Sequence, residues 1–250
     1  MKKCVEMTVH SIQQVAFNTF EMTLKNTYIA QVAMPGQFLH LMAEGHTLRR
    51  PLSIADIDRR QETITILFKQ IGQGTKQLAD CREGMKLDAI GPAGYGFSYD
   101  KSMKTALLIG GGVGIPPLYF LGKELRRHGV HVKAVLGFQS EKHVFYEEKF
   151  QGMGETYVMT NDGSYGNRGF VTDGVDLSGT FVQYFSCGPI PMLQAITNKL
   201  KDHPGSISLE ARLGCGVGAC FACAIPANLE GGYRKICTDG PVFAAGEVVL

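Results

Sequence analysis

The sequence predicts a multidomain β and α/β chain of three modules: an antiparallel β-barrel, a doubly wound parallel α/β nucleotide-binding domain, and a small C-terminal module built on cysteines. Three observations predict it. Residues 1 to about 99 carry short runs of alternating apolar and polar side chains, punctuated by turn residues. From about residue 100 to 205, unbroken apolar runs alternate with amphipathic segments, as in strands covered on both faces by helices. Farther on, Cys215, Cys220 and Cys223 stand at C-x4-C-x2-C, and Cys237 follows after thirteen intervening residues.

In the first module, residues 8–16, 19–24, 37–42 and 63–68 read as strands at period two. Pro35-Gly36, Glu44-Gly45, Glu83-Gly84 and Gly91-Pro92 mark the turns between them. Strand following strand with little helix closes as an antiparallel barrel. One short helix is expected from Thr75 to about Cys81. Just before it, Gly72-Gln-Gly-Thr offers unpaired N–H groups at a helix start, which favours an anion. Arg50, in Arg49-Arg-Pro-Leu-Ser-Ile-Ala, has the planar fork that grips a diphosphate. Taken singly, these are equally an edge arginine and a routine glycine turn.

In the second module, residues 105–109 form a continuous apolar run suited to a buried parallel strand. The loop Gly110-Gly-Gly-Val-Gly-Ile-Pro-Pro-Leu follows, then an amphipathic helix to about His128. Residues 130–138, 156–160 and 180–186 supply further strands, and Pro189-Ile-Pro-Met leads into a helix ending near Asp202. Ligands of such sheets bind beyond the carboxyl ends of the strands, where the glycine loop lies. The loop departs from the G-x-G-x-x-G fingerprint at Pro116; Pro116 and Pro117 instead pre-set a first helical turn, where missing N–H groups cost nothing. Cys187-Gly-Pro ends the fourth strand, and by itself Cys187 reads as a small buried residue.

The cysteine spacing of the third module is that of the plant-type [2Fe–2S] loop. Gly214, Gly216 and Gly218 remove the Cβ atoms that would obstruct converging thiolates and backbone N–H groups approaching sulfur. A zinc ribbon calls for two matched C-x2-C knuckles, and only Cys220 and Cys223 form one. A disulfide scaffold fits poorly, since Cys4, Cys81 and Cys187 leave an odd remainder and Glu6 and His10 interrupt any signal-like opening. A formal charge of +2 over 250 residues argues against a dedicated nucleic-acid binder, and no eighteen-residue apolar window suggests a membrane span. A cytoplasmic location is expected.

Together, Arg50-Pro-Leu-Ser and the glycine-opened helix resemble the flavin domain of the ferredoxin-reductase superfamily, with its signature R-x-[YFL]-[ST]. The resemblance implies that Arg50 and its neighbour Pro51 hold the FAD diphosphate end, that Leu52 packs on the isoalloxazine and that Ser53 faces the flavin N5 region. Many relatives have tyrosine where Leu52 stands. Leu67, Phe68 and Lys69 would line the cofactor, and Gly74 and Thr75 would meet the phosphate. The glycine loop with its later C-G-P resembles the same superfamily. That places NAD against Gly111, Gly112, Gly114, Gly188 and Pro189, with Cys187 beside the nicotinamide as a hydride-transfer residue. Cys215, Cys220, Cys223 and Cys237 would hold the cluster in a ferredoxin-like domain.

With Cys237-Thr-Asp-Gly-Pro-Val-Phe added, the whole chain resembles the family of electron-transfer subunits of class 1B dihydroorotate dehydrogenases. The resemblance implies an FAD barrel at 1–99, an NAD domain at 100–205 and a cluster domain at 206–250. It also implies an FMN-containing catalytic partner in a two-plus-two heterotetramer, serving pyrimidine biosynthesis, with electrons passing from FMN through the cluster and FAD to NAD+. A nicotinamide gives or takes a hydride, a cluster one electron at a time, and flavin does both, which fixes that order. Every module is then assigned to a carrier, leaving no stretch for a dihydroorotate site. Two other readings stand beside it: a subunit of an NAD(P)H–ferredoxin or sulfide reductase with the same modules, and a non-catalytic redox-sensing module. For the nucleotide, Lys142 favours a 2′-phosphate and Glu141 opposes it.

Overall fold

Six strands close the first module of the computed structural model, which describes residues 2–210, 213–228 and 232–250. They are β1 (Lys3–Ala16), β2 (Thr19–Lys25), β3 (Phe38–Leu41), β4 (Arg50–Asp58), β5 (Thr63–Lys69) and β6 (Lys86–Ala93), in the barrel order β1-β2-β5-β4-β3-β6. Alternation decides what fills the barrel. Met22 and Leu24 of β2, Leu39 and Leu41 of β3, and Ile64, Ile66 and Phe68 of β5 form one buried cluster. β1 begins at Lys3, five residues before the expected 8, because its first half pairs with β6 and its second half with β2. Helix α1 (Thr27–Val32), capped by the Asn26 side chain, has no periodic run long enough to announce it. Helix α2 (Gln73–Ala79) starts two residues before Thr75.

The second module alternates β7 (Thr105–Gly111), α3 (Ile115–Arg127), β8 (His131–Phe138), α4 (Glu147–Gln151), β9 (Gly154–Thr160), β10 (Asn167–Arg168), α5 (Val171–Leu177), β11 (Gln183–Gly188), α6 (Ile190–Lys199) and β12 (Gly205–Leu209). The strands lie parallel in the order β10-β9-β8-β7-β11-β12. Successive residues of β7 serve opposite faces. Ala106 and Leu108 pack with Ile115, Leu118 and Leu121 of α3; Leu107 and Ile109 pack with Val175 of α5 and Leu193 and Ile196 of α6. The two prolines sit in the first turn of α3, as their fixed φ favours.

The third module folds back on the sheet. A small ribbon of β13 (Ala224–Pro226) and β14 (Tyr233–Lys235) follows the cysteine loop, and β15 (Val242–Ala244) adds antiparallel to β12 as the sheet edge. The division expected at 205/206 therefore falls at the start of a sheet strand, since β12 pairs with β11 through Leu209. Leu213, Cys223, Ile236, Cys237 and Phe243 share a core with α6 and with Phe38 on the outside of the barrel.

Polar clamps join the barrel to the sheet domain. Lys123 of α3 meets Asp56 of β4 at 2.6 Å. The Tyr146 hydroxyl donates to Glu21 of β2, and Lys149 reaches the same carboxylate at 3.0 Å. Burial pushes the Glu21 carboxyl up, but these partners outweigh it and hold it below its usual range. No helix among the described residues is long and apolar enough to cross a membrane.

Candidate functional site

Arg50 opens β4, and the start of α2 lies against it. A Cβ built at Gly74 would fall 2.5 Å from Nε and Nη2 of Arg50, so the guanidinium occupies the space that glycine leaves open. Arg50 also touches the His46 ring at 3.2 Å and donates to the Leu48 carbonyl. The Thr75 hydroxyl accepts from the N–H groups of Ile71 and Gly72, at 3.0 and 3.2 Å, and so closes the first turn of its own helix. Pro51, Leu52 and Ser53 are partly exposed along β4, Leu52 leaning on the barrel core. Phe68 is buried and stacks on Phe20; Leu67 is buried against the sheet domain. Arg50, Gly74 and the open face of β4 thus form a cationic cradle, the chemistry a diphosphate requires.

Beyond the carboxyl ends of β7, β8 and β9 lies a cavity of about 510 Å³, bounded by Gly111, Gly112, Gly137, Asn161, Pro189 and Met192, with Lys69 and Thr19 of the barrel closing one side. This is where strand order reverses, with β8 on one side of β7 and β11 on the other. Of the residues read from sequence, Gly111, Gly112, Pro189 and Lys69 border it. Gly114, Gly188 and Cys187 do not. A Cβ at Gly114 would lie 2.3 Å from the Cys187 carbonyl oxygen, so this glycine lets the loop seat on the end of β11. Cys187 is fully buried, and burial pushes its thiol well above the usual range. It supports the cavity wall without reaching its surface. Gln139, His143 and Glu210, which border the cavity, carried no motif and were not singled out by sequence.

In the cysteine loop the four thiols fall into two pairs. Cys215 Sγ accepts N–H groups from Val217, Ala219 and Cys220 at 3.3–3.4 Å, and the Cys215 N–H donates to Cys220 Sγ at 3.3 Å. The Val217 N–H leads the donors that lower the Cys215 thiol to about 6. Cys223 and Cys237 form the second pair, buried together, with the Gly218 N–H directed at Cys237. Burial first, and then the Cys223 thiol, raise Cys237 to about 11. Among the described residues no three His, Cys, Asp or Glu side chains gather as a site for one metal ion. Two thiol pairs ringed by backbone donors fit a two-iron cluster, whose charged sulfurs those donors would stabilise. Gly216 holds φ +68°, which only glycine adopts freely, and its open side faces the ring of His40. Phe221, also left-handed at φ +59°, stays exposed beside Tyr233 with Lys235 over its ring at 3.7 Å.

Residues 210–249 match the family described as the iron–sulfur cluster binding domain of dihydroorotate dehydrogenase B. The chain is 49% identical over 257 residues to the dihydroorotate dehydrogenase B (NAD(+)) electron transfer subunit of Bacillus pumilus, covering 100% of this chain and 99% of that one. It is 48% identical over 252 residues to the same subunit of Geobacillus thermodenitrificans, covering 98% of each. Among solved structures, an NADH-dependent reduced ferredoxin–NADP oxidoreductase superposes with a TM-score of 0.89 at 28% identity, over 97% of this chain and 89% of that one. A ferredoxin reductase of carbazole 1,9a-dioxygenase shares the fold at a TM-score of 0.69 and 20% identity, over 80% of this chain and 66% of that one.

Proposed function

The chain belongs to the family of electron-transfer subunits of NAD+-dependent dihydroorotate dehydrogenase B, and from that premise we propose how its residues divide the work. It is an oxidoreductase component that exchanges electrons between a catalytic partner subunit and NAD(H), with FAD and an iron–sulfur cluster as its cofactors. Bound flavin supplies the exchange between hydride and single electrons that neither nicotinamide nor cluster can make alone. Arg50 binds the FAD diphosphate through its guanidinium fork, and Gly74 leaves room for that fork. Because the Thr75 hydroxyl is engaged in capping, its backbone N–H is the group offered to phosphate. Leu52 and Ser53 face the ring system from β4, and Lys69 stands where the flavin and nicotinamide sides meet. Gly111, Gly112 and Pro189 border the dinucleotide, while Cys187 fixes the end of β11 behind them. Cys215 with Cys220, and Cys223 with Cys237, hold the two sides of a [2Fe–2S] cluster.

One observation carries this reading: the two thiol pairs and the Arg50–Gly74 cradle lie on one chain that matches the family along its full length. The ferredoxin-linked alternative shares the fold, but its structural relative is 28% identical where the dihydroorotate dehydrogenase subunits reach 49%. The partner is the FMN-bearing catalytic subunit, in two-plus-two stoichiometry within the cytoplasm. It docks over the cluster loop, where Val217, Phe221 and Tyr233 are exposed. Acid extraction of the purified chain is expected to release one FAD and no FMN, with two irons and two sulfides per chain. Bleaching of that flavin by NADH separates a turnover enzyme from a redox sensor. FMN as the sole flavin, or a single zinc in the cysteine loop, would overturn the assignment.

A further inference from the structure

The side chain of His40 is left unsatisfied by the described residues. It is 1% exposed, and neither ring nitrogen has a hydrogen-bond partner among the described residues. A buried imidazole N–H without an acceptor is costly, and in a native structure it points to a group that is not part of the polypeptide. Strand alternation explains where the ring goes. Leu39 and Leu41 fill the barrel, so Phe38 and His40 face outward, under the later modules. There the ring lies against Gly216, where a Cβ would fall 2.3 Å from Nδ1 and 2.9 Å from Cε1. Gly216 is the residue after Cys215. Across the sheet His40 stands opposite Pro51, the residue after Arg50. This one ring therefore bridges the proposed flavin strand and the cysteine loop.

Its surroundings keep it a neutral donor. Burial, opposed by the Arg49 backbone carbonyl near the ring and aided by the charges of Arg49 and Arg50, holds the imidazole below its usual range. Arg49 is itself paired with Asp88 of β6, and Lys2 of the N-terminal segment binds the Gly216 carbonyl at 3.3 Å. Among the described residues none of these neighbours completes a hydrogen bond to either ring nitrogen. Among the described residues, the donors aimed at the Cys215–Cys220 pair come from the loop's own backbone.

We propose that His40 is a positioning residue for the iron–sulfur cluster, its ring N–H hydrogen-bonding a sulfur on the Cys215–Cys220 side of the loaded site. This rests on the four-cysteine assignment above. A donor at sulfur favours the reduced, more negative state, so His40 raises the cluster's midpoint potential. It also gives Gly216 its reason, since any side chain there would displace the ring.

The test is a redox titration of the full chain in complex with its partner, at fixed pH, with EPR reading the cluster and visible absorption the flavin. His40→Leu is expected to keep its iron and sulfide and to lower the cluster midpoint alone. The expected change is about tenfold in the oxidised-to-reduced ratio at a given potential, or about 59 mV for one electron. His40→Asn, whose amide reaches the Nδ1 position, is expected to restore most of it. An unmoved cluster midpoint in His40→Leu with full iron overturns the proposal, as does a shift carried by the flavin. Pulsed EPR on the reduced wild-type complex, with histidine labelled with nitrogen-15, decides independently of any variant's folding. An imidazole nitrogen coupling supports the hydrogen bond and its absence overturns it. Wild-type protein without iron would instead sink the four-cysteine assignment itself.

Discussion

A methyl group at position 74 would collide with two nitrogens of Arg50, so these residues act as one unit although 24 positions separate them. Arg50→Ala removes charge-assisted hydrogen bonds worth roughly 1.5–3 kcal/mol each, and the FAD dissociation constant is expected to rise at least tenfold. Gly74→Ala displaces the fork and is expected to act in the same direction but less. Flavin fluorescence on dilution measures both; unchanged retention in Arg50→Ala would reduce it to a surface charge. The thiols make a second test. In cluster-free chain, pH 7 lies above the Cys215 value of about 6, which leaves that thiol mostly thiolate, and far below the Cys237 value of about 11, which leaves that one almost wholly thiol. Mass mapping after brief iodoacetamide treatment is expected to find Cys215 labelled first and Cys237 last; the reverse order would contradict the backbone donors around Cys215. At this scale the cysteines that the structure brings together in pairs were legible because their spacing is local. The burial of Cys187 and the role of Gly114 behind it were not, because both depend on how the glycine loop seats on β11.

Among the elements, β15 has three residues and holds the cysteine module to the sheet. Val242, Phe243 and Ala244 pair with Ser208, Ile207 and Ser206 of β12, and the Pro241 carbonyl accepts from Leu209 at 2.9 Å. Phe243, 3% exposed, shares its core with Cys223 and Cys237. Phe243→Ala is expected to cost about 3–5 kcal/mol and to release iron before flavin on heating, since the barrel core is separate. Loss of flavin first, followed by absorbance and iron analysis through the melt, would contradict that order. The long apolar strands and α3 with its paired prolines could be read directly, because periodicity and fixed φ act within a few residues. The short helices α1, α4 and α5 could not, having five to seven residues and no full apolar stripe. Nor could the place of β12, which becomes a sheet strand through neighbours β11 and β15 on either side. β11 itself begins at Gln183, not 180, where its ladder with β7 starts at Ala106.

For the whole molecule, the three modules are joined by the clamps at Asp56 and Glu21 and by the return of the C-terminus to the sheet. The order of modules was legible because each carries a compact motif. Their mutual packing was not, because the contacts that join them, such as Phe97 on Phe185 and His40 on Gly216, pair residues far apart in the chain. The central claim is that electrons exchanged with the partner subunit pass through the four-cysteine site, while the flavin and nicotinamide modules work without it. Cys220 is the proposed ligand to remove, because it is exposed and its truncation leaves the shared core packed. The most direct measurement takes Cys220→Ala, reconstituted with its catalytic partner, and follows two activities on one preparation: NADH oxidation by a dye that accepts from flavin, and dihydroorotate oxidation by NAD+. The account predicts near-normal dye reduction and a coupled rate that collapses; full retention of the coupled rate, or equal loss of both, would contradict it.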